Sequence, residues 1–204
     1  IRSRVPLQQF LIAEQLLRDQ ELLEGNARSY PRGIPVAFEE GKGATLKDVD
    51  GNVYVDFFGG AGTLNVGHSH PDVLEASIAQ QRKLNHTLDF PTEAKLRLIR
   101  NLKSALPGTL ASTAKIQFGG PTGSDAVESA LKLSRLHTGR SSIVAFQGSY
   151  HGMTAGALGV TSNARLRPNQ AQPGVHFMPY PYCYRCPLGL KRESCGLSCV
   201  KYLE

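Results

Sequence analysis

Between Ile116 and Arg135 the chain reads IQFGGPTGSDAVESALKLSR, and this stretch limits what the rest can fold into. Lys115 to Phe118 is short, partly apolar and closed by Gly119-Gly120, which predicts a buried strand end. From Ser124 no proline or glycine occurs before Gly139, and Ala126, Val127, Ala130, Leu131 and Ser134 recur at helical spacing. Their small side chains form a face able to lie close on a sheet. Ser124 and Asp125 stand where a helix start favours a capping oxygen and a negative charge. Gly119, Gly120 and Gly123 allow the sharp turn in between. The free N–H groups of such a helix start, with a hydroxyl beside them, suit a phosphate. A plain glycine turn leading into a capped helix is the competing reading.

Two phosphate loops are excluded. A Walker loop needs lysine just before the serine or threonine, and Gly123 stands there. A dinucleotide fingerprint needs G-x-G-x-x-G, which residues 119–124 do not supply. A second apolar strand follows at Ser141 to Phe146, and then Gln147-Gly148-Ser149-Tyr150-His151-Gly152. Residues 114–146 therefore read as a parallel, right-handed βαβ unit. Ligands of such sheets bind at the carboxyl ends of the strands, where both glycine-bearing turns fall. Val175 to Met178 is a further short strand.

Three motifs in order, GATLKDVDGNVYVDFFGGAGTLNVGHSHPDVLEA, GPTGSDAVESALKLSR and FQGSYHGMTAGALGVT, resemble those of the class III (subgroup II) aminotransferases. The resemblance runs from about Asn26 to Pro181. It implies an α/β fold, the fold-type I transferase fold, with an N-terminal lobe over residues 1–65 and the first part of a large, mostly parallel-sheet domain over 66–204. It implies pyridoxal 5′-phosphate as cofactor, with amino acid and 2-oxo acid substrates, a homodimer and a cytoplasmic location. On this resemblance Gly123 and Ser124 bind the phosphate, Tyr150 lies on the pyridine ring and His151 supports that loop. For Tyr150 the alternative is a core aromatic at a strand end. NARSYPRGIP, AGTLN and GPTGSDAVE are similar in wording to the 2,4-diaminobutyrate aminotransferases of the class, so a diamino acid is the expected amino donor. Other omega-aminotransferases, a same-fold aminomutase or racemase, and a non-catalytic or metal-stabilised module are the rival readings. Family members are roughly twice as long. The lysine that holds their cofactor and the acidic partner of the pyridine nitrogen are expected beyond Glu204, so no catalytic residue is assigned and Lys132 matches no motif. The chain alone is expected to be inactive.

The 204 residues suffice for one domain or parts of two. The net charge of +6 comes from scattered lysines and arginines, without a basic helix interleaved with aromatics, and nucleic-acid binding is not expected. No apolar run reaches membrane-spanning length, and Ile1 to Phe10 does not read as a signal peptide.

The remaining elements follow from local signals. Pro6 to Glu24 reads as a helix with Leu7, Phe10, Leu11 and Leu17 on one stripe, stopped by Gly25. Ala44 to Phe58 reads as a hairpin around Asp50-Gly51. The run Gly59-Gly60-Ala61-Gly62-Thr63 suits a close backbone approach, either to a ligand or at a tight interdomain crossing. The resemblance places it near the substrate, which makes Gly62 and Thr63 candidates. His68 and His70 have no complete metal-ligand set nearby, and Ser69-His70-Pro71 reads better as entry to a helix over Asp72–Leu84. Thr92 to Leu106 is a further helix. Cys183, Cys186, Cys195 and Cys199 are spaced C-x2-C-x8-C-x3-C. That spacing fits structural zinc or an iron–sulfur cluster, a redox-sensitive loop, or reduced thiols. The resemblance calls for no metal there. Some relatives carry an iron–sulfur cluster near the phosphate loop, where this chain has Thr122 and Asp125 in place of cysteines.

Overall fold

The computed structural model describes residues 11–28, 30–166 and 172–203. The chain divides into two compact units, one ending at Glu93 and the other beginning at Ala94.

In the first unit, helix α1 spans Leu11–Leu23, and Gly25 follows its end. The part of the expected helix that carries Leu7 and Phe10 lies outside the described residues. The helix is closed by a distant side chain. The Arg28 guanidinium donates to the Gln20 and Glu24 carbonyls at 3.2 and 3.0 Å, a cation placed where terminal C=O groups lack partners.

An antiparallel meander follows, of strands β1 (Phe38–Lys42), β2 (Thr45–Asp48) and β3 (Val53–Val55). The β2–β3 register pairs Thr45 with Val55, Leu46 with Tyr54 and Lys47 with Val53. Its turn is built on Asp48, which is 3% exposed. The Asp48 carboxylate accepts from the N–H groups of Asp50 (3.0 Å) and Asn52 (2.8 Å), the Asn52 amide (2.9 Å) and the Tyr54 hydroxyl (2.7 Å). Burial raises the Asp48 pKa, but these bonds outweigh it and the carboxyl sits below its ordinary value. The bond to Asp48 pushes the Tyr54 phenol up to about 12. The hairpin stops short of the expected Phe58. Asp56 Oδ1 accepts from the N–H groups of Phe58 (2.7 Å) and Gly59 (3.0 Å), which turns the chain out of the ladder and leaves Phe57 97% exposed. Helix α2, Pro71–Gln81, starts with proline in its first turn as expected. It ends at Gln81, earlier than the expected Leu84, where the Lys83 N–H turns to the Gln80 carbonyl (3.0 Å), a bond between residues three apart in place of four.

Helix α3 spans Glu93–Ser104, all but its first residue in the second unit. Lys103 Nζ donates to the Ser112 (3.0 Å) and Ala114 (2.8 Å) carbonyls, and so fixes the single turn at Leu110–Thr113 near the helix end. Helix α4 runs Gly123–Thr138 and closes on Gly139, which is left-handed at φ 66°. Strands β4 (Ile143–Phe146) and β5 (Val175–Met178) pair in parallel, Ile143 with Val175 through Phe146 with Met178. Between them, α5 (Ala155–Val160) is buried over Ala157–Val160.

The core joins Leu131 of α4, Ala145 of β4 and Val160 of α5, with Val127, Ile143, Val175 and Phe177 packed around them. The small-residue face of α4 therefore covers the two-stranded sheet. Burying a leucine such as Leu131 is worth about 1.5–3 kcal/mol.

β4 and β5 pair in parallel, but the βαβ unit expected over residues 114–146 is not completed. The expected first strand does not form: residues 115–118 make no ladder with any described strand, and Phe118 is 44% exposed. A strand needs a neighbour to take its N–H and C=O groups, and an apolar run supplies none of itself.

Candidate functional site

The first turn of α4 is organised by Thr122. Its hydroxyl oxygen accepts from the Asp125 N–H (3.3 Å), and Asp125 Oδ2 accepts from the Thr122 N–H (3.1 Å) and hydroxyl (2.8 Å). This is a reciprocal capping box, and it corrects the expectation that Ser124 caps the helix. Ser124 stands two residues after the cap, inside the first turn. Its side chain is thereby released for another use, and the N–H groups of Gly123 and Ser124, the first two of the helix, have no intrahelical acceptor. The three glycines of the turn are not there for left-handed backbone, since none has a positive φ. Gly120 is small because a Cβ would lie 2.5 Å from the Asp125 carboxylate.

Ser124 Oγ accepts from the Met153 N–H at 3.2 Å, a bond between residues 29 apart that brings the two glycine-bearing turns together. The approach is close enough that a Cβ on Gly152, buried and at φ 126°, would sit 1.9 Å from Ser124 Oγ. The loop bearing Tyr150 and His151 is held from its other side as well. The Gly148 N–H donates to Ser162 Oγ (2.7 Å), and the His151 N–H donates to Thr161 Oγ1 (2.9 Å). Thr161 is fully buried, and its hydroxyl donates to the Ala157 carbonyl at 2.9 Å. Tyr150 is 62% exposed, so its ring is an available face and not a core aromatic.

Sequence reasoning missed Glu128. It stands one helical turn after Ser124, and its Oε1 accepts from the Thr154 hydroxyl (2.6 Å) and the N–H groups of Gly156 (2.7 Å) and Ala157 (3.1 Å). It thus caps α5 from another helix. The Thr154 hydroxyl, followed by the two N–H groups, holds the Glu128 carboxyl below its ordinary value, against partial burial and the Asp125 charge. The only sequence signal was its i+4 spacing from Ser124.

Gly62 and Thr63 belong to the first unit. Gly59, Gly60, Ala61 and Gly62 are all left-handed, with φ of 52°, 59°, 56° and 89°, and form one left-handed turn. Ala61 bears a Cβ in that conformation, which costs about 1–2 kcal/mol. The Thr63 hydroxyl donates to the Gly60 carbonyl at 2.9 Å, inside the turn.

His68 Nε2 lies 2.7 Å from Asp56 Oδ2, and its backbone pairs with Gly43. The His68 ring, with the Gly59 and Phe58 N–H groups, holds the Asp56 carboxyl below its ordinary value. His70 precedes the first residue of α2. The four cysteines are unpaired and line one small cavity with Pro187, Leu188 and Leu190. Among the described residues no three His, Cys, Asp or Glu side chains are arranged to hold a metal ion. Lys132 is exposed on α4.

The family described as aminotransferase class-III matches residues 27–204. A diaminobutyrate–2-oxoglutarate aminotransferase of Rhizobium meliloti (strain 1021) is 44% identical over 189 residues, covering 91% of this chain and 40% of the relative. A diaminobutyrate–2-oxoglutarate aminotransferase of Haemophilus influenzae is 42% identical over 204 residues, covering 98% of this chain and 44% of the relative. The chain therefore spans less than half the length of these curated relatives. Among solved structures, a PLP-bound amine transaminase from an uncultivated Pseudomonas species superposes with a TM-score of 0.71 at 26% identity, over 89% of this chain and 43% of that one.

Proposed function

The chain belongs to the class-III aminotransferases, and from that premise we propose that the complete protein is a pyridoxal-phosphate-dependent aminotransferase. Its fold is that of the fold-type I transferases. The proposed reaction moves the terminal amino group of a diamino acid, 2,4-diaminobutyrate, to 2-oxoglutarate. The shared name of relatives 42–46% identical to this chain supports that substrate pair. The Ser124–Met153 bond carries the site assignment, because it draws the phosphate-type turn and the aromatic loop into one place.

The donor set suits a dianion. Two N–H groups head a 16-residue helix whose dipole favours negative charge, and the Ser124 hydroxyl keeps its own hydrogen to donate while its oxygen accepts from Met153. Asp125, the nearest acid, is occupied by the capping box. When bound, pyridoxal phosphate supplies the aldehyde and electron-withdrawing ring on which an amino group is carried from donor to acceptor. Gly123 and Ser124 would anchor its phosphate, and the exposed ring of Tyr150 would lie on the pyridine face. His151 holds the loop through its backbone bond to Thr161. Ring stacking of this kind is worth about 0.5–1.5 kcal/mol beyond burial.

Gly62 and Thr63 remain the substrate-side candidates, with backbone of the left-handed turn as the contacting surface. Among the described residues no helix is long and apolar enough to cross a membrane. A cytoplasmic homodimer is proposed on the family resemblance alone. Exposed apolar side chains such as Phe57 at 97% and Leu88 at 74% support further burial in the assembled protein.

The test is a donor screen of the full-length protein with pyridoxal phosphate and 2-oxoglutarate. Glutamate formed from 2,4-diaminobutyrate ahead of ornithine, 4-aminobutyrate and lysine is expected. Glutamate from another donor but none from diaminobutyrate would reassign the substrate within the class. No glutamate from any donor would overturn the activity.

A further inference from the structure

We propose that Glu128 is a positioning residue, which sets the aromatic loop over the cofactor by tying α5 and Thr154 to the helix that carries the phosphate turn. The proposal rests on the cofactor reading above and assigns a role that the family motifs do not.

The geometry is specific. Ser124 and Glu128 lie four residues apart, on one face of α4. Both reach the same segment: Ser124 takes the Met153 N–H, and Glu128 takes the Thr154 hydroxyl and the Gly156 and Ala157 N–H groups. The helix therefore grips residues 153–157 at two heights. Tyr150 sits three residues before the first grip, and its neighbour His151 is fixed to Thr161. The segment has no freedom to slide past α4 without breaking these bonds.

The approach is close at both grips. A Cβ on Gly156 would lie 2.2 Å from Glu128 Oε2, as a Cβ on Gly152 would lie 1.9 Å from Ser124 Oγ. Thr154 precedes α5 at its cap position but makes no capping bond of its own, because its hydroxyl is turned to Glu128. The orphan N–H groups of α5 are thus satisfied by a charge from α4. That charge stands one helical turn from the proposed phosphate site. Three donors on Oε1 stabilise the carboxylate where it stands and fix its direction, its charge being retained.

A mutation at Glu128 should act on the cofactor through Tyr150. Full-length protein is compared as wild type, Glu128→Ala, Glu128→Gln, Tyr150→Leu and Glu128→Ala/Tyr150→Leu. The readouts are pyridoxal phosphate affinity, the induced circular dichroism of saturated cofactor and the unfolding midpoint. Glu128→Ala is expected to weaken the cofactor about tenfold, since it removes charge-assisted bonds, and to change the induced dichroism at saturation. Glu128→Gln keeps an accepting oxygen and should recover part of both. In the Tyr150→Leu background Glu128→Ala should have little further effect, a non-additivity expected of residues acting as one unit. Additive effects on affinity, or a lowered midpoint with affinity and dichroism unchanged, would overturn the proposal while leaving the cofactor reading intact. If Glu128→Ala does not fold, Glu128→Gln and Thr154→Val, each removing less, carry the same comparison. A wild-type protein that holds no pyridoxal phosphate would overturn the cofactor reading, and this proposal with it.

Discussion

Two loops leave the carboxyl ends of adjacent parallel strands, and they are held in opposite ways. After β4, residues 147–154 are bound from two sides by Ser124, Glu128, Thr161 and Ser162, across separations of 10 to 29 residues. After β5, the cysteine-bearing segment is held by turns: Gly189 to Cys186, Ser194 to Lys191 and Ser198 to Cys195 each span three residues. Two of its tyrosines, Tyr182 and Tyr184, pack on each other with ring centroids 6.2 Å apart. Long-range bonds make one loop's position a property of the fold. Local turns give the other its shape, and the edge-to-face contact of Tyr180 with Phe146, ring centroids 5.8 Å apart, meets it where it leaves β5. Fixed side-chain geometry belongs with a binding loop that must present a residue in one place, and the first loop is the one that bears Tyr150 and His151.

The largest effect is expected at Gly152. Gly152→Ala places a methyl group on Ser124 Oγ and strains a left-handed backbone, and it should lower stability by about 3 kcal/mol, the top of the overpacking range. Denaturant unfolding of the full-length protein measures it. A midpoint unchanged from wild type would mean that the two turns do not touch.

Acid should loosen the same loop, with a smaller effect. The Glu128 carboxyl is lowered in the folded state from a reference of 4.5. Its stabilisation is therefore fully present above that reference and lost as pH falls through the lowered value. Hydrogen-exchange protection of the Gly156 and Ala157 amides should fall over that acid range in wild type and show no such step in Glu128→Gln. Identical profiles would mean that the Glu128 carboxylate does not hold this segment.

The smallest effect belongs to the second loop. Cys183→Ser, at an exposed thiol, should change stability by less than about 0.5 kcal/mol and leave transamination at the wild-type rate. Lost activity, or zinc or iron found in stoichiometric amount in protein purified without chelator, would show that this loop too is held by a long-range tie.

Helix α4, strands β4 and β5, the Asp50-Gly51 turn and the proline entry to α2 were legible because periodicity and turn chemistry are local. The family was legible because three motifs keep their order. β1 was not, since Phe38-Glu39-Glu40-Gly41-Lys42 has no apolar alternation and exists by its ladder with β2. The strand expected at 115–118 failed for the converse reason, an apolar run without a described neighbour. In the site, glycine and serine marked the phosphate turn, yet the cap fell to Thr122, because Thr122 and Asp125 can satisfy each other and Ser124 cannot reach back. Glu128, Thr161 and Ser162 were invisible because each acts on a backbone group far away in sequence, and no spacing rule links residue 128 to residue 156.

Titration of the full-length apoprotein with pyridoxal phosphate, wild type against Ser124→Ala, tests the assignment of this turn most directly. A hydrogen bond to a charged group is worth roughly 1.5–3 kcal/mol, so the variant should bind the cofactor about ten- to a hundredfold more weakly. Equal affinities would remove Ser124 from the phosphate site and leave the turn as a structural junction between two loops.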